Sequence, residues 1–297
     1  MGTDRTKAVQ PGIRPSDSIT ILFSLFLLIL TIINFSSIPS SRYLVLIYSS
    51  IIFFQASLVF LSRGNPFLAA ARDIIFPVIG VLVIFDSLGL IVHALNPRDI
   101  DYLLIRLDYR MFGGYPTIFC EKYMNPFLTD ILQVAYSTYY FIPIALGVVL
   151  RLKGKREAFE ESLFLMLFCF YLSYVGYMLF PALGPRYVMQ HLYDRHLDGF
   201  MVSAPIQNSL NLLEGIKRDA FPSGHTAIAL TVLFLAYRYD RTLFRWILVP
   251  VLLLIPATVY CRYHYAVDVL AGIALAVVTI IFGEIYYRFG IGALRKA

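Results

Sequence analysis

Eight stretches of the chain are apolar over lengths close to that of a bilayer. They cover about 18–36, 43–62, 72–95, 128–150, 159–180, 224–239, 244–260 and 266–287. A helix needs roughly 20 residues to cross the hydrocarbon. No run alternates polar and apolar positions as a barrel strand does, so helices are the only spanning choice. The pattern predicts an all-α integral membrane protein, a bundle of about eight transmembrane helices. The sixth run is short and must recruit its polar N-terminal turn. The first run is about 19 residues long and follows a polar segment with no small-residue cleavage site, which reads as an uncleaved span rather than a signal peptide.

Composition agrees. The chain is 59% hydrophobic and 15% charged, against about 25% charged in soluble domains. The net charge of +6 raises nucleic acid as a partner, but basic loops on one side of a bilayer explain it better. Cys120, Cys169 and Cys261 are too scattered for a disulfide framework or a zinc cluster.

An even number of spans puts both termini on one side. That side holds Arg5, Lys7, Arg14, Arg63, Arg72, Arg151, Lys153, Lys155, Arg156, Arg238, Arg241, Arg245, Arg288, Arg295 and Lys296, in short segments. The positive-inside rule makes it cytoplasmic. The long loops 96–127 and 181–223 then lie outside. The segment from Pro97 to Thr117 reads as an aromatic-lined flap along the interface, and residues 187–220 as a gate or a solvated loop.

Three polar segments fall on that outer face, and the topology was derived without them. "LGPRYV" carries Arg186, "FPSGHTA" carries Ser223, Gly224 and His225, and "YCRYHYAVDVLAG" carries Arg262, His264 and Asp268. His264 and Asp268 are four apart and share a helix face. A carboxylate there can orient the imidazole, or the two can simply satisfy each other. Free amides at a helix start attract phosphate, and Ser223 can donate to it or cap the helix. Two arginines near lipid suit an anion. Asp86, with His93 seven residues on, lies within the third run. It reads as a headgroup contact or a structural pair. Glu284 is expected near the cytoplasmic interface and Gln133 inside the bundle.

"FPSGHTA" followed by "HYAVD" resembles the type 2 phosphatidic acid phosphatase superfamily of membrane phosphatases and lipid phosphotransferases. "HYAVDVLAG", "LDYRMFGGYPT" and "PALGPRY" look most like its inositol phosphorylceramide synthase and sphingomyelin synthase-like branch. The family's K-x6-R-P motif is not met: Leu179 stands where the lysine would be, and Arg186 follows Pro185. Thr258 stands where the phosphatases place an arginine before the histidine. These departures favour the phosphotransferase branch.

The resemblance covers roughly residues 75–290. It implies two accessory helices in 1–71, a six-helix phosphatase-type core in 72–290 and a tail, 291–297. It also implies roles. His264 is the nucleophile that forms a phosphohistidine, Asp268 orients it, and His225 is the general acid and base. Arg186, Ser223, Gly224 and Arg262 would hold phosphate oxygens. The expected partners are a membrane lipid phosphate and a hydroxyl acceptor, with no metal or cofactor. Two other readings use the same residues: a metal-dependent hydrolase with His225, His264 and Asp268 as ligands, and an anionic-lipid transporter.

Overall fold

Where prolines and asparagines punctuate the apolar runs, helices begin. The computed structural model describes residues 12–207 and 216–294, which form helices joined by turns and loops. Helix α1 is Pro15–Ile33, α2 is Ser41–Leu61 and α3 is Pro66–Leu95. A short helix α4, Asp101–Phe112, follows, then α5, Pro126–Ser137, and α6, Ile142–Leu152. The last four are α7, Arg156–Leu179, α8, Gly224–Tyr239, α9, Arg241–Tyr260, and α10, Ala266–Leu294. Proline occupies the first helical position of α1, α3 and α5, where its missing N–H costs nothing. Asn65 and Asn125 cap α3 and α5 by accepting from backbone amides inside the first turn.

Among the described residues, six helices (α1, α2, α3, α7, α9 and α10) are long and apolar enough to cross a membrane, and α5 with α6, bent by 50°, makes a seventh when the pair is taken as one span. The sequence reading of one straight span over 128–150 is thereby modified. Pro143 lacks an amide hydrogen and clashes with the preceding turn, so the ladder breaks at Thr138–Tyr140. Helix α8 has 16 residues, a rise of about 24 Å at 1.5 Å per residue. It is short but enclosed, packed on α7, α9 and α10. The apolar residues left facing outward, such as Leu22, Leu25, Phe26, Ile29 and Ile32 on α1, form the stripe a lipid-facing helix needs.

Helix α7 runs through the middle, against α1, α3, α6, α8 and α10. At one end of the bundle lies an ion-pair network. Asp73 receives Arg14 at 2.6 Å and Arg151 at 2.9 Å. Asp17 receives Arg72 and, at 2.7 Å, the Gln55 amide. These charges are buried in pairs, which is why α3 continues through Arg72 and Asp73 and starts at Pro66 rather than at 72. The expected boundary at residue 72 therefore falls inside one helix. At the same end Lys153 meets Asp240 at 2.6 Å, and Glu284 pairs with Arg238 and Arg288. Arg5, Lys7, Arg295 and Lys296 lie outside the described residues, as does 208–215 of the 187–220 loop.

Candidate active site

The opposite end of the bundle gathers the three polar segments. Helix α4 joins two of them. The Asp101 carboxylate accepts from the amides of Leu183 at 2.9 Å and Gly184 at 2.8 Å, and from the Tyr265 hydroxyl at 2.9 Å. Seven residues on, Asp108 accepts from the amides of Ala266 at 3.0 Å and Val267 at 2.8 Å. It thereby caps α10. Burial pushes the Asp108 carboxyl above its ordinary range, and the two amides partly offset that. The Arg186 amide donates to the Arg262 carbonyl at 2.9 Å. Gly184 sits at φ +88°, and a Cβ there would lie 2.7 Å from the Tyr263 carbonyl oxygen. Only glycine lets the two loops come this close.

The result is a pair of histidines. His225 Nδ1 lies 3.2 Å from His264 Nε2. His264 Nδ1 lies 2.7 Å from the Ala220 carbonyl oxygen. A carbonyl only accepts, so Nδ1 carries the proton and Nε2 keeps its lone pair. Asp268 is close, with Oδ2 3.6 Å from His264 Nδ1, beyond a hydrogen bond. Its Oδ2 accepts instead from the Tyr265 amide at 2.8 Å, and its Oδ1 is buried without a partner among the described residues. Asp268 thus lies beside the ring without bonding it, while the Ala220 carbonyl sets the tautomer.

Aromatic rings fix His225. Tyr136 stacks on it at 4.5 Å between centroids, and Tyr139 lies against it at 4.2 Å. Tyr136 also stacks on Tyr263 at 4.3 Å, and the Arg186 guanidinium lies over the Tyr263 ring at 4.9 Å. Arg186 is thereby tethered beside the pair, within electrostatic reach of His225. His225 Nε2 has no hydrogen-bond partner among the described residues.

The remaining sequence candidates divide. Ser223 is fully buried and caps α8, accepting from the Thr226 amide at 3.3 Å. Gly224 is there because a Cβ would run into the Tyr177 hydroxyl. Arg262 turns away from the histidines. It donates to Glu121 and to the Arg195 carbonyl, both at 2.7 Å, and covers the Tyr193 ring at 3.8 Å. Asp86 is exposed on α3, with no hydrogen bond or ion pair among the described residues. Gln133 is fully buried and accepts from the Tyr263 hydroxyl. Sequence reasoning missed Asp101, Asp108, Glu121 and the Tyr136–Tyr139 sandwich. The seven-residue spacing of Asp101 and Asp108 on one helix face was the available signal. Among the described residues, no group of three His, Cys, Asp or Glu side chains is placed to hold a metal ion.

Fold and site define a multi-pass helical membrane protein with a buried histidine pair beside an arginine at one end of the bundle. Its sequence matches the model of the PAP2 superfamily over residues 103–282, and the chain belongs to that family. It is similar, at 23% identity over 236 residues, to the phosphoinositol dihydroceramide synthase of Bacteroides thetaiotaomicron, covering 68% of this chain and 72% of that one. It is also similar, at 23% identity over 186 residues, to a PA-phosphatase related-family protein of Dictyostelium discoideum. That match covers 56% of this chain and spans about a third, 34%, of the relative. No solved structure matches the chain. The family and these relatives support a membrane enzyme that acts on lipid phosphoesters, as phosphatase or phosphotransferase.

Proposed function

We propose that the protein is a lipid phosphotransferase that works through a phosphohistidine on His264. The His264 tautomer carries the reading. With Nδ1–H held by the Ala220 carbonyl, the Nε2 lone pair is the nucleophile. It attacks phosphorus, a nitrogen–phosphorus bond forms, and the bond to the leaving oxygen breaks. His225 gives that oxygen its proton. In the second half His225 takes the proton of an acceptor hydroxyl, whose oxygen attacks phosphorus and releases His264. Asp268 stabilises the charged ring, and Arg186 neutralises phosphate oxygens. Phosphoryl transfer is mainly positioning and charge stabilisation, and fixed side-chain charges supply both without a metal. Ser223 and Gly224 shape the turn, and the Ser223 amide ties it to α10 by donating to the Asp268 carbonyl at 3.1 Å. Arg262 serves the loops more than the phosphate.

The relative named for phosphoinositol and dihydroceramide supplies the acceptor to try first, a long-chain lipid hydroxyl receiving a phosphorylated polyol headgroup. Water in the same place would make the enzyme a phosphatase. The basic residues gathered at one end of the bundle support a cytoplasmic location for both termini, with the site on the other side. The test is a panel of phosphatidic acid, prenyl diphosphate and phosphatidylinositol, with and without alcohol acceptors, read by mass spectrometry. Headgroup transfer that survives chelator and disappears in His264→Ala is the expected result. Binding without turnover would mark a transporter, and loss in chelator a metal-dependent hydrolase.

A further inference from the structure

A cavity of about 260 Å³ lies between α3, α6 and α7. One end is formed by His225, Asp219, Tyr139 and Tyr177, and the other by Asp73, Gly147 and Phe159. Between them the wall is almost wholly apolar, including Val78 and Val81 of α3 and Met166 of α7. Along α3 the lining runs from Asp73 to Phe85, about 18 Å of helix. That is somewhat more than one leaflet of a hydrocarbon core about 30 Å thick.

Three lining residues face outward: Leu82 is 50% exposed, Phe141 69% and Ile144 37%. The slot therefore opens sideways to the bilayer, between α3 and the bend that joins α5 to α6. Its two ends differ in chemistry. At one, His225 is 7% exposed and its Nε2 has no hydrogen-bond partner among the described residues. At the other, the Asp73 carboxylate is already occupied by Arg14 and Arg151. Water gains little in such a slot, because a buried water needs about two to four polar partners. A chain of methylenes fits the wall, and the end at His225 adjoins the histidine pair at which the phosphoester is handled.

We propose that this slot holds one hydrocarbon chain of the lipid substrate, entering sideways from the bilayer. The Asp73 ion-pair cluster is the floor, and the gap between Gly147 and Phe159 sets how long a chain fits. A Cβ on Gly147 would stand 3.6 Å from the Phe159 ring, ordinary contact. Larger side chains there would occupy the deep end. The inference rests on the phosphotransfer reading of His225 and His264, and it makes the enzyme selective for long chains rather than for soluble phosphate esters.

Two measurements test it in the purified full-length protein. The first compares kcat/KM for short-, medium- and long-chain members of one lipid phosphate series in wild type, Gly147→Phe and Val78→Phe. Filling the deep end should cost the long-chain member about tenfold and leave the short-chain member unchanged. That is the burial lost with roughly two methylenes, about 1.4 kcal/mol. An equal loss at every length, or none in either variant, overturns the proposal. The second uses a long-chain lipid phosphate with a diazirine at the chain end and the non-reacting His264→Ala protein. Labelling of Phe159 or Met166, reduced by Gly147→Phe, supports the slot even if no lipid phosphate proves to be turned over, in which case the phosphotransfer reading alone falls. Labelling confined to the outward faces of α1 and α2 overturns the slot whatever the turnover.

Discussion

His225 Nδ1 and His264 Nε2 are 3.2 Å apart, and that hydrogen bond fills the space an attacked phosphorus needs. Reacting atoms must approach to about 3–3.5 Å. The two rings therefore cap each other at rest, and a phosphate has to replace the bond. Vanadate, which mimics transferring phosphoryl, should break it. The ¹⁵N resonances of both imidazoles should shift on adding vanadate to wild-type protein and stay put in Arg186→Ala. Unchanged resonances in the presence of bound vanadate would mean that phosphate docks elsewhere.

The two histidines should fail differently. His264→Ala loses the nucleophile, so turnover and any acid-labile phosphoenzyme should both vanish. His225→Ala keeps the nucleophile and loses a general acid, worth about 10²–10⁴-fold. Rapid-quench labelling with a substrate whose leaving group needs no proton should rescue the first half-reaction in His225→Ala alone. Full activity in folded His264→Ala would sink the phosphohistidine mechanism.

Asp101 acts at a distance from phosphorus, as a positioning residue. Asp101→Ala leaves the Leu183 and Gly184 amides and the Tyr265 hydroxyl without their acceptor, at about 1–3 kcal/mol per buried group. Melting should fall and kcat should drop, because Arg186 and His264 sit on the loops that Asp101 joins. Asp101→Asn keeps an acceptor oxygen and should recover part of both. A melting change with kcat untouched would confine Asp101 to stability.

Arg262 and Glu121 should behave as a unit. If the 2.7 Å pair exists to hold the outer loops, Arg262→Gln and Glu121→Gln should lower melting by similar amounts, and the double variant by little more. If Arg262 clamps phosphate, its loss should raise KM while Glu121→Gln leaves KM alone.

The far end has its own acid sensitivity. The Lys153 hydrogen bond holds the Asp240 carboxyl below its ordinary value of 3.8. A lowered folded value means the stabilisation is complete above 3.8 and is lost as pH falls through that lower value. Asp240→Asn keeps an oxygen for the Leu243 amide but removes this pH dependence. Between neutral pH and about pH 3, wild-type melting in detergent should fall more than that of the variant. Parallel curves would remove the ion pair from the account.

Much of this was legible because lipid is a demanding solvent. Long apolar runs located α1, α2, α7, α9 and α10, and the start of α8 at Gly224 and of α10 at Ala266 followed from the turns before them. Where charge entered a run, the reading slipped. The third run was read as starting at 72, whereas the helix starts at Pro66 and carries Arg72 and Asp73 inside it, because their partners Asp17, Arg14 and Arg151 are distant in sequence. The helix break before Pro143 was hidden inside an apolar run. The same limit applies at the site. Spacing alone joined His264 to Asp268, whereas the atom on Nδ1 is a carbonyl from the loop at Ala220, and no residue type announces a carbonyl. Arg262 read from the sequence as a phosphate ligand, and its pairing with Glu121, far off in the chain, had no local signal.

The order of these parts along the chain has a consequence for synthesis. Arg186, Ala220, His225, His264 and Asp268 emerge from the ribosome in that sequence, and α10 is the last helix described. Until α10 inserts, the loop that carries His264 lacks the Asp108 cap and the Asp101 tether, and His225 has no imidazole opposite it. On the proposed mechanism, a nascent chain that has not yet inserted α10 has no nucleophile, and it gains one, already capped by Asp108 and tethered to Asp101, when α10 docks.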